Sequence, residues 1–93
     1  MAKLLTNETS SGAAAGVSLS GPATLIVPNS SVFGGAHIRV EISVVDTTGD
    51  YVPVEIRFDS AGVVPLDIVG TYFARAVVYG ATATTDLTLD AIQ

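Results

Sequence analysis

His37 is the only histidine of the chain, so acid–base chemistry near neutral pH would involve it most readily. An acyl-transfer triad needs a base beside a nucleophile and a third group that orients the base. Serine and threonine are abundant, but no Gly-x-Ser-x-Gly turn holds a serine in position for attack. We therefore expect His37 to be a solvated residue of a strand without a catalytic role.

The nine carboxylates could supply a general acid and a base, or oxygen ligands for calcium. Asp46 and Asp50 are the closest pair, in the segment Asp-Thr-Thr-Gly-Asp. That segment lacks the twelve-residue loop with a terminal glutamate that is typical of calcium sites. A glycosidase also needs a deep cleft, which 93 residues can hardly build. We expect no catalytic residue, no metal and no cofactor, and therefore no enzyme.

The remaining composition excludes further classes of function. Without cysteine, the chain has no thiolate zinc site, no disulfide framework and no thiol nucleophile. Its net charge is −5, and its four basic residues are spread along the sequence, so nucleic acid is not an expected partner. No run approaches the roughly 20 apolar residues of a membrane span. The first eight residues also lack the apolar region of a secretory signal.

The elements that would position these side chains are strands, and residues 36–44 give the clearest pattern. Apolar and polar residues alternate there, which places them on opposite faces of a strand. The apolar face has Ile38, Val40, Ile42 and Val44, and the polar face has His37, Arg39, Glu41 and Ser43. One dry and one wet face are typical of an antiparallel sheet that covers a core on one side.

The same pattern recurs from residue 17 onward, with glycine and proline turns between the strands. It predicts an all-β protein, an antiparallel β-sandwich of seven or eight strands with either a jelly-roll or an immunoglobulin-like arrangement. Residues 17–93 would form this domain. Residues 1–16 would form an extended N-terminal arm, because residues 7–16 are small and polar. Leu4 and Leu5 would then be an apolar tip that either frays or docks on a neighbouring subunit.

Residues 71–79 depart from simple alternation, because both faces of this strand are largely apolar. A loop or the arm could cover the second face, or a subunit interface could do so. We favour the interface, because aromatic residues and arginine are enriched at interfaces. A buried Arg75 should then pair with a carboxylate or carbonyl of the partner. The predicted interface residues are Leu4, Leu5, Phe73, Arg75, Val77 and Tyr79.

From residue 16 onward, the order of turns and strand starts resembles that of small virion structural proteins of tailed bacteriophages. The corresponding motifs are Ser20-Gly21-Pro22, Gly34-Gly35-Ala36, Tyr51-Val52-Pro53-Val54 and Gly70-Thr71-Tyr72. Tyr51 stands where such proteins usually carry tryptophan. These motifs mark turns and strand starts, and no catalytic residue comes with them.

The resemblance implies a structural role on the capsid surface of a virion. A decoration or cement protein that binds the major capsid protein or other virion subunits is the principal expectation, as a homo-oligomer with a trimer favoured. A tail or head-fibre component is the alternative within this class. From another class, a carbohydrate-binding or adhesion module stays open. Its aromatic platform would have to come from Tyr51, Tyr72 and Tyr79, because the chain has no tryptophan.

Overall fold

Two antiparallel sheets packed face to face form the protein in a computed structural model, which describes residues 2–93. Sheet 1 has the strand order β1-β9-β4-β7, and sheet 2 has the order β8-β5-β6 with β2 and β3 both along the free side of β8. The strands are β1 (Ala2–Glu8), β2 (Gly12–Ala13), β3 (Val17–Ser20), β4 (Ala23–Val27), β5 (His37–Ser43), β6 (Val52–Phe58), β7 (Gly62–Leu66), β8 (Thr71–Tyr79) and β9 (Leu87–Ile92). A 3-10 turn at Thr48–Asp50 precedes β6. The predicted β-sandwich is confirmed.

The strand pairing identifies a jelly roll between the two arrangements that the sequence left open. Four antiparallel pairs lie one inside the next along the sequence: β5–β6, β4–β7, β3–β8 and β1–β9. The chain therefore forms one long hairpin, which is folded so that its pairs alternate between the two sheets. Two further pairs, β4–β9 and β5–β8, complete the sheets. A double sheet built in this way is the jelly-roll form of the sandwich.

The core lies between the sheets and is made from the alternating inward residues of both. Strand β8 contributes Ala74 and Ala76, whose small side chains are fully buried and face the larger residues of the opposite sheet. Tyr72 closes one end of this strand and donates its hydroxyl to the carbonyl of Gly21 at 2.9 Å. The largest fully buried apolar residues are Leu25, Val27, Ile38, Val40, Val78, Leu87 and Leu89.

Strand β1 corrects the prediction of an N-terminal arm. Leu4 and Leu5 are each only 3 % exposed and belong to the core cluster, so they are core residues and not an exposed tip. The register of β1 against β9 shifts between Lys3 and Leu5, and again before Glu8. An irregularity of this kind bends a strand and re-aims its side chains, which lets two consecutive leucines both reach the core.

Residues 12–20 are likewise part of the sandwich. Strands β2 and β3 run along the edge of β8, and the amide of Ala14 between them donates to the carbonyl of Ala76 at 2.9 Å. The radius of gyration is 12.2 Å, which matches about 12 Å for a compact chain of this length. A projecting arm would have enlarged it.

Candidate interaction surfaces

The predicted interface on β8 is only partly accessible, because Arg75 has its partner within its own chain. The Arg75 Nε and Nη2 atoms donate to Glu41 Oε1 at 2.8 and 2.7 Å, and both side chains are mostly buried. The register places Glu41 of β5 directly opposite Arg75, so the pair follows from strand alignment. The expectation of a partner's carboxylate is therefore corrected. Phe73 is half-buried, and Val77 is buried at 8 % exposure.

The loop between β5 and β6 covers this part of the outer face of sheet 2. The Tyr51 ring lies 4.1 Å from the Arg75 guanidinium carbon, and its hydroxyl donates to Asp46 Oδ1 at 2.7 Å. A β-carbon at Gly16 would collide with this hydroxyl, so the tyrosine reaches across β8 to the glycine. Burial, and then the hydrogen bond to Asp46, raise the pKa of Tyr51 to about 12. The face around Arg75 is thus closed by the chain's own loop.

The two ends of the sandwich differ in chemistry, and one end is closed by a network of threonines. Thr82 donates through Oγ1 to the carbonyl of Gly34 at 2.8 Å, and Thr85 donates to that of Phe33 at 2.9 Å. Thr85 is 2 % exposed. These bonds join the β4–β5 loop to the β8–β9 loop and satisfy their polar groups internally.

The opposite end exposes apolar side chains, and we call it the valine end: Val44, Val52 and Val69. Their exposed fractions are 82, 61 and 93 %. They border a depression of about 320 Å³ whose floor includes Ile42, Ile68 and Tyr72.

Simple alternation predicts Val44 and Val52 to face inward, and the structure corrects the first of these. Strand β5 ends at Ser43, whose hydroxyl accepts the amide of Val45 at 3.2 Å, and the chain turns outward from there. Val44 therefore lies in the loop rather than on the inner face of the strand. Val52, paired with Ile42, is the first residue of β6 and borders the open depression.

Asp50 is the carboxylate that lines the depression of the valine end among the described residues, and it is exposed. Asp67 lies in the second loop of this end but lines a depression on the sheet 1 side, and Asp46 is bonded to the Tyr51 hydroxyl. No lysine or arginine occurs within residues 44–51 or 67–70. The apolar patch therefore has an acidic residue at its border, which suits a partner with a basic residue there.

A polar groove of about 310 Å³ lies on the outer face of sheet 2, and we call it the Arg39 groove. Its walls are His37, Arg39, Glu41, Pro53 and Tyr79. The register sets His37 opposite Tyr79, and their rings stack with centroids 5.0 Å apart and planes within 13°. The sequence showed no sign of this pair, because it depends on the alignment of β5 with β8.

The Arg39 groove brings a histidine, a carboxylate and a hydroxyl together, which is the composition that acid–base catalysis would need. Within residues 2–93, however, no hydrogen bond joins His37 to Glu41 or to a hydroxyl. Glu41 instead accepts both bonds from Arg75 through one oxygen. The base–nucleophile contact that defines a triad is not formed.

The three tyrosines form no shared sugar platform. Tyr72 is buried, Tyr51 lies over Arg75, and Tyr79 is 45 % exposed beside His37. A coplanar set of tyrosines is the arrangement that would favour a carbohydrate module of the usual kind. Within residues 2–93, the stacked pair of Tyr79 with His37 offers a partly exposed ring next to a groove.

The outer face of sheet 1 carries a stripe of apolar residues beside its edge strand. Val63 and Ile92 are 62 and 44 % exposed, Pro65 is exposed and Ile26 is half-buried. The register brings these residues together: Ile26 lies opposite Val63, and Thr24 lies between Pro65 and Ile92. This sheet 1 stripe ends at the ion pair of Lys3 with Asp90, where Nζ lies 2.8 Å from Oδ1.

Asp46, in the segment considered for calcium, accepts a hydrogen bond from the Tyr51 hydroxyl. In the part of the chain that the structure describes, no three His, Cys, Asp or Glu side chains are grouped as a metal ion would require. The same residues include no helix of the length and apolarity that a membrane crossing needs.

Comparison of the chain with protein-family models finds no match, and comparisons with curated proteins and with solved structures find none either.

Proposed function

We propose that this protein is a non-enzymatic structural protein of a tailed-phage virion, most concretely a decoration or cement protein that binds the major capsid protein on the capsid surface. The observation that supports this best is the valine end. Three exposed valines around an apolar depression form a patch of the kind that marks protein–protein contacts. Burying one such side chain contributes about 1.5–3 kcal/mol.

The charge around the valine end favours a capsid subunit over a second copy as its partner. Two copies meeting end to end would bring Asp50 of one copy towards Asp50 of the other, because Asp50 lines the depression. Like charges brought together across an interface cost free energy. A shell surface with an apolar knob and basic residues around it would be complementary. Many copies on one shell would each stabilise it by binding only the assembled form.

Self-association requires another surface, and the sheet 1 stripe provides one. Val63, Pro65 and Ile92 are exposed there, whereas Tyr51 lies over Arg75 of the predicted β8 face. A trimer joined by these stripes would leave the valine ends free to face the shell. In light scattering coupled to size exclusion, its mass would be about three times the 9.5 kDa of the chain.

The jelly-roll fold supports the proposal by analogy only. Double-sheet jelly rolls occur in viral capsid domains, and they also occur in lectins and cupins. Because one fold hosts many functions, the surfaces must carry the argument. A tail or head-fibre component would use the same apolar end against a different virion subunit.

The experiment is to look for the protein on particles. Virions from the source of the sequence are banded by density, and the chain is quantified in the band by mass spectrometry. Stripped particles are then incubated with the purified protein, and binding is measured by co-sedimentation. We expect saturable binding at a fixed number of copies for each shell.

Matched variants locate the contact. Val44→Asn and Val69→Asn should abolish co-sedimentation, while folding stability changes by less than about 0.5 kcal/mol because both residues are exposed. Val32→Asn, in the β4–β5 loop at the opposite end of the sandwich and 47 % exposed, is the control and should bind normally. Absence of the chain from the banded particles would overturn the virion role. Equal loss of binding in all three variants would overturn the assignment of the valine end.

A further inference from the structure

The cations of this acidic chain are gathered on one surface. Arg39, Arg57 and Arg75 all lie on the outer face of sheet 2, together with His37, whereas Lys3 lies on sheet 1. Arg75 is paired with Glu41. Arg57 is paired with Asp59, whose two oxygens accept its Nε at 3.1 Å each, while Nη2 reaches Oδ1 at 3.0 Å.

Arg39 is the arginine left without an anion. Its side chain is half-buried, yet within residues 2–93 its guanidinium takes part in no hydrogen bond and no ion pair. The register places Arg57 opposite it on β6 and Val77 opposite it on β8. Arg57 is already neutralised by Asp59, so of these two opposed arginines it is Arg39 that would gain an ion pair from a bound anion.

The neighbouring carboxyl group reports the same positive field. The hydrogen bond from Arg57 lowers the pKa of Asp59, and the nearby charges of His37 and Arg39 lower it further. Asp59 is already bonded to Arg57, so the charge of Arg39 stays available to a ligand.

The rest of the Arg39 groove offers contacts that suit a sugar ring. Both bonds from Arg75 end on Oε1 of Glu41, so Oε2 of that carboxylate can accept a hydroxyl. The Tyr79 ring, stacked on His37 and 45 % exposed, provides a flat apolar surface beside it. Pro53 forms the opposite wall of the groove.

We propose that the Arg39 groove binds a sugar residue that carries a carboxylate, such as a uronic acid. Arg39 pairs with the carboxylate of the sugar, Glu41 accepts one of its hydroxyls, and Tyr79 packs against the ring. A neutral sugar would leave Arg39 unpaired, and a simple carboxylic acid would leave Tyr79 and Glu41 unused. Charge-assisted bonds from arginine to a carboxylate are the stronger ones, so the acid group anchors the ring.

The test is a titration of the full chain with galacturonate, followed in amide-correlation NMR spectra. We expect saturable shifts at the amides of His37, Arg39, Glu41 and Tyr79. A dissociation constant of about 1 mM is typical of a ligand with about 13 non-hydrogen atoms. Methyl galactoside and acetate, at the same concentrations, should bind at least about tenfold more weakly. Methyl galactoside lacks the carboxylate that pairs with Arg39, and acetate lacks the sugar ring and its hydroxyls.

Substitutions in the Arg39 groove test which contact each side chain makes with the sugar. Arg39→Gln should weaken galacturonate binding about tenfold or more, and Tyr79→Ser should weaken it severalfold. Lys3→Gln, on the outer face of sheet 1, is the charge-matched control and should bind as the parent does. An unchanged spectrum outside the groove shows that each variant is folded.

Three results would overturn the proposal: no shifts with galacturonate, acetate binding as tightly as galacturonate, or an Arg39→Gln variant that binds normally. The inference does not depend on the capsid role. Val69→Asn should keep galacturonate binding, and Arg39→Gln should keep binding to particles, so either proposal can fail alone.

Discussion

Truncation of the Leu5 side chain distinguishes a strand β1 that is packed on the core from an N-terminal arm that is free. Leu5→Ala removes three carbons from a side chain that is 3 % exposed. At about 0.8 kcal/mol for each buried carbon, the transfer cost is about 2.4 kcal/mol. If about half of the vacated volume stays empty, the cavity adds about 1 kcal/mol, for a total of about 3.4 kcal/mol. For a domain of this size, the melting temperature should fall by about 14–27 °C.

Urea denaturation followed by circular dichroism measures this free energy of unfolding. Thr6→Ala, next in the same strand but exposed, is the matched control and should cost less than about 1 kcal/mol. Leu5→Met keeps most of the volume and should cost less than about 1.5 kcal/mol. If Leu5→Ala were no more destabilising than Thr6→Ala, the segment would not be docked and the reasoning from burial would be refuted.

Three further predictions concern the outer face of sheet 2. Glu41→Gln leaves Arg75 partly buried without its anion and should cost about 1–2 kcal/mol, between the values of surface and buried pairs. A double-mutant cycle with Arg75→Gln should show coupling, and strict additivity would contradict the pair. Tyr51 should ionise near pH 12 in an ultraviolet titration. Because the unfolded chain loses this proton near its ordinary pKa of 10.0, stability should fall as pH rises between the two values, and a constant stability there would oppose the assignment. Gly16→Ala should displace the Tyr51 ring and lower the pKa of that tyrosine, whereas Gly49→Ala, with open space at its β-carbon, should leave both unchanged.

The correct predictions depended on residues that are close together in the chain. The incorrect ones failed because of contacts with other strands or because of where a strand ends. Alternation placed Ile38 and Val40 in the core, and the structure buries both completely. The prediction of an N-terminal arm failed at Leu4 and Leu5, because pairing with β9 and a register irregularity there turn both leucines inward. Local alternation failed at Val44, because the strand ends one residue earlier.

The interface prediction on β8 recognised an unusual strand and misjudged what covers it. The sequence showed that both faces were apolar, and that Arg75 would need an anion. The anion is Glu41, and the cover is Tyr51. Glu41 and Tyr51 lie 34 and 24 residues from Arg75 along the chain. Composition cannot predict that they contact Arg75, because strand order and register decide which distant residues become its neighbours.

By itself, the sequence determined the sandwich class, through short-range alternation and through glycines and prolines that end each strand. It also determined what the chain lacks, namely cysteine and a basic cluster along its length. Only the tertiary structure decided the jelly-roll order, the valine end and the Arg39 groove. Each of these arises where strands or loops distant in the chain meet, and their meeting is set by the pairing of whole strands and the burial of a shared core.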